Sequence, residues 1–300
     1  MSSHPIFKGV TCVMFSVLVW SGWMVVSRFA VKSTLSPYDL TAIRFGIAGL
    51  LLLPVVLRKG LRVGPYGLGS SLILSLLIGA PYATVAVTGM QFAHASHAST
   101  IINGTLLIST SLIGIMVLRE KTSALRIAGV VCSILGIICM LIAKNTDDPH
   151  QALGHLLFVI SGLMWGGYVL LMRAWGVEAL HTSAIVCVTS MIIYLPLYAL
   201  FAHSHISFEN WHEVAFQCFY QGALTGVAAF ITFNIGVRIL GASHAGAFTP
   251  LVPVFSTLLA IPVLGETPSL LEWMGVGAVS FGVFLASGVL HWRLAFLKAR

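Results

Sequence analysis

The 300-residue sequence predicts an all-α integral membrane protein of ten transmembrane helices, built as two inverted five-helix repeats. Three observations carry that reading. Charged residues are 8% of the chain and hydrophobic residues 58%, with a mean hydropathy of +0.97. A soluble domain carries about 25% charged residues, so lipid must solvate much of this surface. Apolar stretches of about 20 residues, the length that crosses a bilayer, recur ten times. The two halves also repeat each other: Ala-Ser-His-Ala at 95–98 returns at 242–245, and Glu120 returns as Glu266.

The first apolar run follows Lys8 and continues to Val31. It is longer than a signal-peptide core and no small-x-small cleavage site follows, so it reads as a retained helix. With 9–31 the expected spans are 38–57, 67–90, 95–118 and 124–143, then 153–175, 182–202, 214–239, 243–264 and 270–291. The breaks at 144–152 and 203–213 are too short for domains, and the repeats are read as 1–146 and 147–300. Helix 1 matches helix 6 through Leu18-Val19-Trp20-Ser21-Gly22 and Leu163-Met164-Trp165-Gly166-Gly167, and Arg28 matches Arg173. Gly79 and Gly89 return as Gly226 and Gly236, Gly129 and Gly136 as Gly275 and Gly282; helices 2 and 7 match least. Five helices is an odd number, so the second copy sits upside down, the arrangement of carriers that alternate access about a midplane site. With the N-terminus inside, twelve Lys and Arg fall on inner segments and four on outer ones, which predicts that both termini are cytoplasmic.

The net charge of +7 includes no basic run interleaved with aromatics, so nucleic acid is not an expected partner. The five cysteines lie inside apolar stretches and form no CxxC pair, as small buried hydrophobes do. His212-Glu213 is followed by Phe216 where a zincin needs a second histidine. There is no GxSxG elbow, P-loop or GxGxxG turn. No enzyme, cofactor or metal is expected, and transport would have to run on a gradient.

Polar groups deep in lipid face a cavity or the bundle interior. Asn103 and Asn234, near the middle of helices 4 and 8, are candidate solute contacts; an ordinary interhelical hydrogen bond is the plainer reading. Trp20 and Trp23 lie three apart on one helical face, and Trp165 and Tyr168 repeat the spacing in the inverted copy. Core or lipid packing would explain them; opposed aromatic walls for a flat or cationic solute would too. Tyr82, after Pro81, is a further substrate-binding candidate. His97 and His244 are repeat mates at the starts of helices 4 and 9. A histidine titrates near neutral pH, so proton coupling stands open beside a plain loop-end role, and His244 is counted with the site. Arg44 either snorkels to the interface or binds a solute carboxylate. Glu120 and Glu266 read as acids of helix-end turns. Pro250 and Pro253 should weaken helix 9 and act as its gating residues. Gly162xxxGly166 and Gly222xxxGly226 allow close helix contact without fixing an oligomeric state.

The Trp20-Ser21-Gly22-Trp23 and Trp165-Gly166-Gly167 patterns, Pro37 with Arg44, and the Pro-rich helix 9 ending in Gly265-Glu266 resemble the drug/metabolite transporter superfamily, and within it the EamA-type ten-helix exporters. The resemblance covers nearly the whole chain. One departure is Gly104, which stands where the fourth helix should carry the mate of Pro250. The resemblance implies a secondary transporter of the cell inner membrane. It would export a small solute, amino acids first and amphipathic or cationic compounds second. Two other readings stay open: an intramembrane enzyme acting on a lipid-linked substrate, and a non-transporting scaffold in the bilayer.

Overall fold

The structure is a computed structural model that describes residues 3–116, 119, 122–143 and 149–289. Every regular element among the described residues is a helix. They are α1 (Ser3–Ser33), α2 (Pro37–Lys59), α3 (Leu68–Ile78), α4 (Ala80–Phe92), α5 (Ala95–Met116), α6 (Ala124–Ile142), α7 (Gln151–Trp175), α8 (Ala179–Phe201), α9 (Trp211–Gln217), α10 (Ala229–Leu240), α11 (Ala242–Gly246), α12 (Leu251–Leu264) and α13 (Leu270–Ala286). Nine stretches of the described chain are long and apolar enough to cross a membrane, and the shorter α13 is the tenth span.

Two spans start with capping boxes that the sequence encodes locally. The Ser36 hydroxyl accepts from Asp39 N while Asp39 accepts from Ser36 N, with Pro37 at the first helical position. Ser269 and Glu272 do the same for α13. Three spans are interrupted. The third breaks at Gly79, just before Pro81, and the amide this frees at Ala80 donates to the Ser190 hydroxyl on α8 at 3.2 Å. The eighth passes from α9 to α10 through a π-helical stretch, Cys218–Ala228. The ninth breaks between α11 and α12. From Ala247 to Val252 its amides reach back three residues rather than four, and Pro250, inside that run, has no amide to give.

Inversion of the second repeat is written in the contacts. α1 packs on α10 and α12, and its mate α7 packs on α4 and α5, the corresponding elements of the other half. α6 lies against its own mate α13 along a glycine seam: Gly129 faces Gly282, and Gly136 faces Gly275. Each contact is the image of the other when the halves exchange. A two-fold axis perpendicular to the strandless seam would generate both, as in an isologous dimer interface. Gly89 against Gly154 and Gly236 against Gly9 form a second such pair. Small residues are needed here because lipid gives helices no hydrophobic reason to associate, so close backbone packing must hold them. Leu57, Leu135, Ile142, Leu200 and Phe201 point away from the bundle, where lipid tails would meet them.

Candidate functional site

A cavity of about 380 Å³ lies between the two halves. Seven residues singled out in the sequence as candidate solute contacts line it: Trp20, Trp23, Arg44, Tyr82, Asn103, Trp165 and Tyr168. The rings are contiguous. Trp23 stacks on Tyr82 at 6.4 Å, and Tyr82 meets Trp165 edge-on at 6.1 Å, so α1, α4 and α7 share one aromatic wall. Trp20 lies beside Phe230 and Phe233 of α10 at 5.7 and 5.1 Å. Asn103 donates to Ser99 O in its own helix at 2.7 Å.

Arg44 lies in this wall rather than at a membrane surface. Its guanidinium carbon stands 4.9 Å from the Trp23 ring centre, and its buried Nη1 has no hydrogen-bond partner. Arg126 and Arg173 also line the cavity, and among the described lining residues there is no acid. Arg126 Nε donates to the Ser111 hydroxyl at 3.0 Å. In the sequence Arg126 counts only among the inner-segment cations and Arg173 also as the repeat mate of Arg28, since a charge near a helix end does not by itself reveal a cavity. Gln221 gives a clearer signal, because an amide inside an apolar span is costly. Its Oε1 accepts from Trp23 Nε1 at 2.8 Å and its amide donates to the Ser27 hydroxyl at 2.9 Å, fixing the indole. Thr225 and Phe230, in and after the π-helical stretch, complete that side.

Asn234 and His244 are not among the lining residues. Asn234 turns its amide back onto Phe230 O at 2.9 Å, and His244 is exposed at the end of α11. Pro250 and Pro253 are buried beside the cavity without lining it, although Thr249 and Val252 next to them do. Glu120 lies outside the described residues.

Among the described residues, the cavity lining reaches one end of the bundle only. Arg126, Arg173 and Ser287 stand where α6, α7 and α13 meet the end that bears the 59–68, 116–124 and 175–179 connections. There Lys59 also donates to Glu178, joining α2 to the start of α8. That hydrogen bond holds the exposed Glu178 carboxyl below the usual carboxylate range. The opposite end is packed. Arg28 donates to Glu266 and to Met90 O, and Glu266 accepts from Ala95 N at 3.0 Å, tying α1, the α4–α5 link and the α12–α13 link together. The sequence reads Glu266 as a turn acid; it is that and also half of a buried ion pair. His97 is fully buried rather than a watery loop-end residue, because Glu272 and His155 enclose it. Among the described residues no group of three His, Cys, Asp or Glu side chains could hold a metal ion.

The EamA-like transporter family matches this chain twice, over residues 7–142 and 152–288. An uncharacterized transporter of Archaeoglobus fulgidus is 24% identical over 286 residues, covering 92% of this chain and 96% of its own. The uncharacterized inner membrane transporter YedA of Escherichia coli is 27% identical over 282 residues, covering 90% and 87%. A crystal structure 21% identical covers 98% of this chain and 99% of its own with a TM-score of 0.62, which shows a shared fold. With ten spans, a duplicated match and transporters rather than enzymes among its relatives, the chain belongs to the EamA-like transporter family.

Proposed function

We propose that the protein is a secondary transporter of the inner membrane that carries a small amphipathic solute bearing a carboxylate, amino acids first, through the central cavity. The observation that supports this reading most is the buried guanidinium of Arg44, whose Nη1 has no hydrogen-bond partner, set in one aromatic wall of the cavity. Trp23, Tyr82 and Trp165 suit an apolar or flat body. Arg44, with an open Nη1, suits a carboxylate, which guanidinium holds by charge-assisted hydrogen bonds. Cationic compounds fit this wall less well, because the Arg44 guanidinium would face them. Outward transport is what the sequence resemblance implies, and an inner-membrane location accords with the relative in Escherichia coli.

In this reading the halves 1–146 and 147–300 rock about the cavity, exposing it first at one end and then at the other. The interrupted ninth span supplies the bend, since a short run of three-residue hydrogen bonds is where helices hinge. Both termini would lie in the cytoplasm, making the open end of the cavity the inner one. Solute counterflow in proteoliposomes tests the proposal, with a panel of amino acids, their methyl esters and an aromatic amine. Carboxylate-bearing solutes should exchange and the esters and amine should not. Absence of exchange for every member of the panel would overturn it.

A further inference from the structure

At the packed end, away from the cavity, titratable groups are buried in one row. Glu272 is wholly buried; its Oε2 accepts from Ser269 N at 2.7 Å, completing the capping box. Its Oε1 lies 2.6 Å from His97 Nε2 and accepts the Ser96 hydroxyl at 3.2 Å. His97 is equally buried, and its Nδ1 lies 2.8 Å from His155 Nε2, with the two rings stacked at 4.9 Å. A capping box needs only the Ser269 contacts. The two histidines in line behind the carboxylate need another explanation.

We propose that Glu272, His97 and His155 form a proton-binding latch that holds this end of the transporter shut, a role that rests on the alternating-access reading. The hydrogen bonds fix the proton count. With Glu272 ionised, His97 must donate through Nε2; in a neutral ring its Nδ1 then accepts, and His155 donates to it through Nε2. One more proton can enter at His155 Nδ1 while the Nε2 proton of His155 passes to His97 Nδ1. His97 is then cationic between the Glu272 carboxylate and a neutral His155. Every hydrogen bond in the row survives the transfer, with its direction reversed between the two rings.

The row spans both halves: His97 comes from α5, while Glu272 and His155 come from α13 and α7. Opening this end therefore draws the cation away from its carboxylate and admits water, which weakens their attraction several-fold. The shut end thus binds the proton more tightly, and by linkage protons favour the shut end. The other charged or titratable groups nearby do not replace this pair. His94, just before α5, stands 3.8 Å from Glu272 Oε1, an ion-pair distance too long for a hydrogen bond. Arg28 on α1 and Glu266 on the α12–α13 link neutralise each other. His150 begins α7 beside Phe92 of α4. Lys144, Asp147 and Asp148 lie outside the described residues.

The test uses spin labels at Gln91→Cys and Leu270→Cys, on α4 and α13 at this end, with the five native cysteines replaced by alanine and the full chain in nanodiscs. Two distances are expected. The ratio of the short to the long one should rise about tenfold from pH 8 to pH 5.5, the size of one coupled binding event. His97→Gln and His155→Gln should each flatten that dependence while keeping both distances; two variants guard against one failing to fold. Two distances whose ratio ignores pH, or a pH dependence that survives both substitutions, would overturn the latch alone. One distance under all conditions would overturn alternating access as well.

Discussion

Replacing Arg28 with methionine probes the packed end most directly. Arg28 is 5% exposed and Glu266 7%. The substitution keeps the side chain's bulk but strips Glu266 Oε1 of its cation and Met90 O of a donor, leaving Glu266 only the bond from Ala95 N. Breaking a buried pair by removing one partner costs about 3–5 kcal/mol. The lost bond to Met90 O adds about 1 kcal/mol. Arg28→Met should therefore destabilise the fold by about 4–6 kcal/mol. Glu266→Gln strands the arginine in turn and should be costly for the same reason. Removing both partners should recover most of either loss. The assay is equilibrium unfolding in mixed micelles at pH 7, run as a double-mutant cycle. A cost under about 1 kcal/mol for Arg28→Met at pH 7 would refute the reasoning, as would a coupling energy near zero.

Three further outcomes are expected. Arg44→Gln removes a charge-assisted contact worth about 1.5–3 kcal/mol, so a carboxylate solute should bind about 10 to 150 times more weakly while its methyl ester changes little; calorimetric titration checks this, and equal losses for acid and ester would count against Arg44 as the anchor. Gly136→Ala puts a methyl carbon 2.8 Å from Gly275 O and 2.7 Å from a Val279 methyl, so it should destabilise the seam by about 1–3 kcal/mol in unfolding assays, whereas Gly277→Ala, with no atom within 4 Å, should be close to neutral. Pro250→Ala returns an amide to the ninth span and should slow solute exchange several-fold with binding nearly unchanged; parallel losses in both measurements would remove the hinge from the mechanism.

The fold was legible in the sequence because membrane helices are set by length and apolarity, and repeats survive as offsets. Leu18 to Gly22 against Leu163 to Gly167 is enough to pair helices 1 and 6. The aromatic part of the site was legible for the same reason, since Trp20, Trp23, Trp165 and Tyr168 stand in repeated positions and do line one cavity. Asn234 was misleading: its depth along the helix is central, but rotation about the axis decides what a side chain meets, and a π-helical stretch just upstream alters that rotation. Glu272 looks like an ordinary capping acid, because local sequence shows Ser269 three residues before it but not His97, 175 positions away.

The two-fold symmetry is kept where helices must pack and broken where the ends must differ. Gly129 with Gly282 and Gly136 with Gly275 obey it closely. Ser123 and Ser269 obey it too, each capping a helix at repeat-matched positions. Three residues on, the match fails: α6 carries Arg126 where α13 carries Glu272. Arg126 faces the cavity at its open end; Glu272 is buried with two histidines at the closed one. His97 and His244 diverge in the same way, one enclosed and the other exposed. A carrier with identical ends would have no chemical reason to close one in preference to the other. Here one helix cap, duplicated and inverted, places an arginine on the cavity at one end and an acid against two histidines at the other, so the two ends of the bundle differ chemically although the repeat made them alike.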